Sequence, residues 1–446
     1  MTKRLVALIL SVASLAARAQ TTPVKVDSLV RAYVAVQQFN GSAIVVQGKK
    51  KVYEKSYGYA NAATKALNTS RSIFPIGSLT KPFTALLILK LAEEHKLSTD
   101  DRLSTYLPSY PNGDQIRIHQ LLTNTAGVYE KFRNRAFVNQ LTAAHPFTTE
   151  ERLAFFQNEP LDFEPGTRFS YSNSGYDLLG AVIEKVTGAC YADVVRRYIF
   201  QPLHMTASGF GFADLRAANK TTLYSYASAT KQVETTPWNA SLTFSSGGLY
   251  SSPADLLKFY QGLRAYKIVS KETFAKATTP FLGGYGYGWY IDVLQGDRVI
   301  DHGGNIEGAT SYFLLMPDHQ VGIILLNNIT STALEKLGNA IYAALQNKPY
   351  TLPQPKKAIR LDEPTLLSYT GTFEVSATYK VQVFKEAAGL FVQINNEPKI
   401  PVLPEKEGVF FAADDDMVLE FIAKDKKIMQ VKIKKGLTTK VADKVG

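Results

Sequence analysis

The chain has almost no cysteine. Cys190 is the only one in 446 residues. That excludes an internal disulfide and any multi-cysteine metal or iron–sulfur site. Histidine is scarce as well: His95, His119, His145, His204, His302 and His319 are scattered, with no HExxH pair, which argues against a zinc hydrolase. No apolar run reaches the length of a membrane span. There is no internal repeat and no low-complexity tract. With 45% hydrophobic and 20% charged residues, the chain is neither disordered nor collagen-like. Its length suits about two domains.

The formal charge is +11, and Lys3, Arg4 and Arg18 supply three of those charges, which leaves +8 (11 − 3) without them. A late basic cluster, Lys424, Lys426, Lys427, Lys432, Lys434 and Lys435, lies beside Asp425 and the run Asp414, Asp415, Asp416. No nucleic-acid-binding motif accompanies it, so it reads as a solvated face, with no nucleic-acid partner.

The first nineteen residues read as an export signal. Lys3 and Arg4 form a positive start, Leu5 to Leu15 an apolar stretch, and Ala17-Arg18-Ala19 a small-x-small cleavage site. No cysteine follows to carry a lipid, so a periplasmic or secreted protein without a stable membrane anchor is expected. A lone cysteine fits an oxidising compartment.

Gly41–Val46 and Lys51–Lys55 read as strands around the turn Gln47–Lys50. Phe83–Leu91 is apolar nearly all round, as in a buried helix, with Pro82 in its first turn. Leu178–Val186 is a second apolar helix, closed by Gly188. Pro253 starts another. Phe313–Met316 and Val321–Leu326 flank the turn Pro317-Asp318 and read as paired central strands, and Ala333–Leu345 as a closing helix. Strands at both ends of this segment predict an α/β (α+β) domain over 20–346: an antiparallel sheet flanked by helices, with an all-helical subdomain. Residues 347–364, with Pro349, Pro353, Pro355 and Pro364, read as a linker. Over 365–446 the period changes to two. Tyr379, Val381 and Val383 alternate with polar residues, as do Leu390, Val392 and Ile394, and Met429, Val431 and Ile433. This predicts a small all-β domain.

The chemistry concentrates in three places. Ser78-x-x-Lys81 opens the first buried helix, and a spacing of three puts hydroxyl and amine on one face. A desolvated lysine can take the serine proton. Tyr171-Ser172-Asn173 supplies a phenol able to share the proton and an amide able to hold lysine and a substrate carbonyl. Asp301-His302-Gly303-Gly304-Asn305 offers glycines that let backbone approach a ligand, and the N–H of Asn305 can join that of Ser78 in an oxyanion hole.

These three motifs, in this order, resemble the serine β-lactamase and penicillin-binding protein family, in the class C β-lactamase-like branch with D-alanyl-D-alanine carboxypeptidases, D-aminopeptidases and esterases. The likeness runs from about Gly41 to Leu345. Leu121–Gly127, Ser245–Leu249 and Tyr287-Gly288-Trp289 add to it. It implies Ser78 as nucleophile, Lys81 as its base, Tyr171 as proton shuttle and Asn173 as positioner. His302 and Gly304 fall on the third motif, where β-lactamases usually carry Lys-Thr-Gly. A missing lysine there implies weak attraction for a substrate carboxylate. Asn124 stands where relatives often carry histidine. The C-terminal region resembles small lipocalin-like domains appended to some relatives. The expected activity is an exported serine hydrolase acting on a small ester, amide or peptide through a Ser78 acyl-enzyme, with no metal or organic cofactor. The alternatives are a D-amino-acid peptidase, a penicillin-binding or peptidoglycan-sensing protein with little turnover, and a carrier whose C-terminal domain holds a ligand.

Overall fold

A computed structural model describes residues 22–445 apart from 228–230, 377–378, 396–398, 413–416, 426 and 436–437. The export signal and the run Asp414–Asp416 therefore lie outside the described residues.

Two N-terminal and four late strands build one sheet. They are β1 (Gly41–Gln47), β2 (Lys50–Ser56), β3 (Tyr290–Leu294), β4 (Asp297–Ile306), β5 (Ala309–Met316) and β6 (Val321–Asn327), in the order β3-β4-β5-β6-β1-β2. All neighbours are antiparallel. β1 joins β6 in a register from Gly41 opposite Asn327 to Gln47 opposite Val321, so the two ends of the domain meet at the sheet's centre. The central strands β5 and β6 are buried at every residue, which is why they read as unbroken apolar runs rather than alternating ones.

Each face of the sheet has its own cover. On one side α1 (Thr22–Ala35) and α6 (Leu334–Leu345) pack Leu29, Val30, Leu337 and Ile341 against Val45, Leu314, Ile323 and Leu325. On the other, α2 (Thr80–Glu93), α3 (Asn173–Thr187), α4 (Ala240–Gly247) and α5 (Pro253–Arg264) pack against Ile44, Ile300, Phe313 and Ile324. α2 is buried on every side, from Phe83 through Leu89. Pro82 is its third residue, where the missing N–H costs no helical bond. The segment between β2 and β3 holds helices joined by long turns and also carries short ribbons, among them Tyr224–Ala227 with Gln232–Glu234.

Residues 348–354 run across the first domain before leaving it. Lys348 pairs with Asp297, and Gln295 Nε2 donates to Pro349 O at 3.0 Å. Beyond lies a closed barrel of eight antiparallel strands: β7 (Gly371–Ser376), β8 (Tyr379–Glu386), β9 (Gly389–Ile394), β10 (Ile400–Lys406), β11 (Val409–Ala412), β12 (Val418–Lys424), β13 (Lys427–Lys435) and β14 (Thr438–Lys444). Closure leaves no free edge. Its interior is filled. Phe373, Val381, Val392, Phe410, Leu419 and Val431 are buried together, and Tyr369 sits against Phe410 and Phe421 at ring distances of 4.9 and 4.8 Å. A carrier reading for this domain meets a packed core.

One expected alternation breaks. Val431 and Ile433 are buried, but Met429 is 48% exposed. The register of β12 with β13 slips here: Ile422 faces Gln430 while Ala423 faces Ile428. Met429 is the extra residue of a bulge, and a bulge reverses which side chains point inward.

Candidate active site

The nucleophile's position follows from a backbone turn. Gly77 has φ +51°, a conformation that favours glycine, and a Cβ there would lie 3.1 Å from Asn305 N. This contact brings the segment before Ser78 against β4. Ser78 lies in a 3₁₀ turn, Gly77–Leu79, and α2 begins only at Thr80. No side chain caps that helix start, so Ser78 is held for its hydroxyl and not as a cap.

Lys81 is fully buried and its Nζ meets three oxygens: Asn173 Oδ1 at 2.8 Å, Ser246 O at 2.9 Å and Ser78 Oγ at 3.1 Å. A carbonyl oxygen can only accept, so two of the amine's hydrogens are committed to Asn173 and Ser246. The remaining tetrahedral position faces Ser78, as a third N–H in the ammonium or as a lone pair in the neutral amine. Burial lowers the Lys81 pKa to about 7, against a smaller upward pull from Glu130. The free amine is thus accessible near neutral pH. The Tyr171 ring lies over Lys81 Nζ, 4.7 Å from centroid to nitrogen. Burial pushes its phenol well above the usual value, while a hydrogen bond with the Ser78 side chain pulls the other way. Tyr171 is therefore a neutral phenol, able to relay a proton rather than to hold a tyrosinate.

Three supports of this pair carry no signal in the sequence. Glu130 accepts from Asn173 N at 2.6 Å and Asn173 Nδ2 at 2.9 Å. This fixes the amide so that its oxygen, not its nitrogen, faces Lys81. Asn124, noted above only as standing where relatives often carry histidine, has φ 55°, a conformation that asparagine tolerates better than most residues. It grips the tyrosine segment from both sides: Ser170 N donates to its carbonyl at 2.9 Å and Ser172 N to its Oδ1 at 3.1 Å. Phe244 is buried at φ 39°, ψ −133°, a strained kink within α4. Directly after it, Ser245 O accepts from Thr84 Oγ1 at 2.6 Å and Ser246 O accepts from Lys81. A signal for any of these would have required knowing which distant segments meet.

The third motif is a strand and not a loop. His302 to Asn305 lie in β4, paired with Phe313 to Thr310 of β5. The two glycines differ. A Cβ on Gly304 would fall 1.9 Å from Ile76 O, so this glycine lets two protein segments touch; the close approach is to Ile76 and not to a ligand. A Cβ on Gly303 would meet nothing nearer than 3.6 Å. His302 is buried, with Nδ1 2.6 Å from Gly303 O and Nε2 3.0 Å from Tyr285 Oη. The carbonyl requires Nδ1–H as donor, which leaves Nε2 to accept from the tyrosine. Burial lowers its pKa to about 3, with the Lys81 charge adding to the effect. His302 is a neutral ring whose two nitrogens are both engaged within the protein.

Ser78, Tyr171, His302, Gly303 and Asn305 line one cavity of about 730 Å³; Lys81 and Asn173 sit behind it. Among the described residues, no three His, Cys, Asp or Glu stand together in a way that would hold a metal ion. No described helix is long and apolar enough to cross a membrane.

A cavity-lining serine against a buried lysine just ahead of and within a helix start, closed by a tyrosine and set against an antiparallel sheet, is the arrangement of a serine hydrolase. Residues 26–348, more than half of the chain, match the family described as Beta-lactamase, and the chain belongs to that family. Penicillin-binding protein 4* of Bacillus subtilis (strain 168) is 29% identical over 86% of this chain and 90% of its own length. The octameric penicillin-binding protein homologue from Pyrococcus abyssi superposes with a TM-score of 0.65 at 27% identity, covering 94% of this chain and 99% of that one. The D-amino acid amidase from Ochrobactrum anthropi SV3 shares the fold, with a TM-score of 0.65 at 22% identity over 73% of this chain and 99% of its own.

Proposed function

We propose that the protein is an exported hydrolase of small esters or amides that works through an acyl-enzyme on Ser78. The observation that carries this reading is the single position left free on Lys81 Nζ, which faces Ser78 Oγ at 3.1 Å. In the neutral amine this position is a lone pair. Lys81 takes the hydroxyl proton as Ser78 Oγ bonds to the substrate carbonyl carbon. The oxyanion is held by the backbone N–H groups of Ser78 and Asn305. The proton passes by way of Tyr171 to the leaving oxygen or nitrogen as its bond to carbon breaks. Water then adds to the acyl carbon, gives its proton back along the same path, and frees Ser78. Asn173 keeps one N–H beyond its bond to Glu130, available to a substrate carbonyl.

A second reading, penicillin binding with slow turnover, has support in the names of the relatives. His302 argues against it, since this neutral, engaged ring gives a substrate carboxylate no charge to pair with. The export reading rests on residues 1–19 and is checked by the N-terminal sequence of the protein recovered outside the cytoplasm; an intact Met1 would refute it.

The deciding experiment is intact-mass analysis after exposure to activated esters, D-amino-acid amides and penicillins. An acyl adduct on Ser78 with rapid release from esters or amides is expected. No adduct from any of them would refute the hydrolase reading, and a long-lived penicillin adduct alone would favour the second.

A further inference from the structure

The cavity that holds Ser78 continues past Gly303 to the α6 side of the sheet. There it is walled by Asp301, Asp292 and Glu335. Among the described residues that line it there is no lysine or arginine, and His302 is neutral for the reasons given above. Asp301 is partly buried, and its Oδ2 accepts from Tyr312 Oη at 3.0 Å. Burial, with Glu335 and Asp292 adding to the effect, raises its pKa to about 7. Three carboxylates on one wall, with no base among the described lining residues to offset them, make this side of the cavity strongly negative.

Aromatic rings point to the same chemistry. Tyr171, Tyr290 and Tyr312 line the cavity with the acids, and the Tyr171 and Tyr290 rings lie nearly parallel, 7° apart at 6.3 Å. Tyrosine faces next to carboxylates suit an ammonium or guanidinium, which aromatic rings also attract. Gly303 keeps the passage open: its Cβ direction is empty save for ordinary contacts with Ser311 and Tyr312.

We infer that the acid wall of Asp301, Asp292 and Glu335 is a specificity subsite, and that the substrate carries a cationic group which this wall receives. The inference rests on the hydrolase reading and names its substrate class. Strand geometry also sets the reach. Asp301 is four positions from Asn305, roughly 13 Å along β4 at about 3.3 Å per residue. The cation therefore stands at the end of an arm of several bonds, as an ω-ammonium does, and not on the atom next to the scissile carbonyl.

The test is a matched series of p-nitrophenyl esters with six-carbon acyl chains ending in ammonium, methyl or carboxylate. A second series carries the same three ends on the leaving group of an acetyl ester. In at least one series, kcat/KM for the ammonium ester is expected to exceed that for the methyl ester by about tenfold to a hundredfold, mostly through KM, with the carboxylate last. Asp301→Asn keeps the bond from Tyr312 and should reduce the ammonium preference at least several-fold; Glu335→Gln, at an exposed position, should reduce it less. Gly303→Val, which fills the passage, should penalise the long ammonium ester more than p-nitrophenyl acetate. If neither series prefers ammonium, or if Asp301→Asn leaves the preference intact, the inference is overturned. The hydrolase reading fails separately, if Ser78 is acylated by none of the esters, the neutral ones included.

Discussion

Lys81 sets the pH dependence of the proposed reaction. Its pKa is lowered to about 7, so the fraction of free amine rises as pH passes through that value. With an uncharged ester, kcat/KM is expected to climb from pH 5 to pH 8 with an apparent pKa near 7. A flat profile would exclude Lys81 as the base. Lys81→Ala and Tyr171→Phe should each cost at least about a hundredfold in rate. The double variant should lose far less than their product, because one proton path uses both. Asp301 has the opposite sign of linkage with stability. Its folded pKa of about 7 lies above the ordinary aspartate value of 3.8. The folded state therefore holds the extra proton between these values, and stability is lost as pH rises through that window. Asp301→Asn removes that loss, so its Tm relative to wild type should be higher at pH 8 than at pH 5. Glu335 and Asp292 are the charges facing Asp301, and Tyr312 and Tyr290 are the phenols. The contact of Lys81 with Ser78 was legible in the sequence because a spacing of three, here from a 3₁₀ turn into the first turn of α2, fixes it locally. Glu130, Asn124 and Asp301 were not, because each acts on a residue more than ten positions away, or across two strands, and only the fold brings them there. His302 was legible as part of a motif, but its burial was not, so a lysine at 302 is a packing change and not a simple switch of selectivity.

Among the elements, the junction of the short turn Lys131–Arg133 with the start of α3 matters most. Glu130 accepts from Phe132 N in the turn, at 3.3 Å, and from Asn173 N at the first residue of α3. One carboxylate thus ties two helix starts together and aims Asn173 at Lys81. The Glu130 charge also raises the Lys81 pKa. Glu130→Gln is expected to move the acid limb of kcat/KM to lower pH and to reduce kcat by about tenfold, through a loosened Asn173. An unmoved limb would show that Glu130 serves only as a cap. The buried helices and central strands were readable from apolar runs, since burial on all sides leaves no polar position to confuse the pattern. β4 was not readable as a strand, because Gly303 and Gly304 look like a loop until Ile76 is known to press against the second of them. The bulge at Met429 was equally hidden: alternation predicts a face only while the register holds.

For the whole molecule, the barrel stands apart from the catalytic cavity. Among the described residues, none that lines the catalytic cavity comes from beyond Glu335. The barrel has its own filled core. Residues 348–354 belong with the first domain by their contacts, although proline content marks the whole stretch as a linker; Ile359 N already bonds Pro404 O of the barrel, at 2.8 Å. A chain ending at Pro355 is therefore expected to keep full turnover of p-nitrophenyl acetate. A severe loss in a chain that still shows native near-UV circular dichroism would assign the barrel a part in the chemistry.

The pairing of β1 with β6 has a consequence in time. The serine leaves the ribosome early, but the strand that must lie beside β1, and the Asn305 N–H that must meet the serine, follow more than two hundred residues later. Until then β1 has only β2 as a partner, and the domain cannot close. Such far-apart contacts slow folding. On dilution from denaturant, the barrel, built from neighbouring hairpins, should recover its structure before Ser78 regains reactivity toward a fluorophosphonate. Under the proposed export, a long unfolded interval of this kind would keep the chain in a state that can be threaded across a membrane.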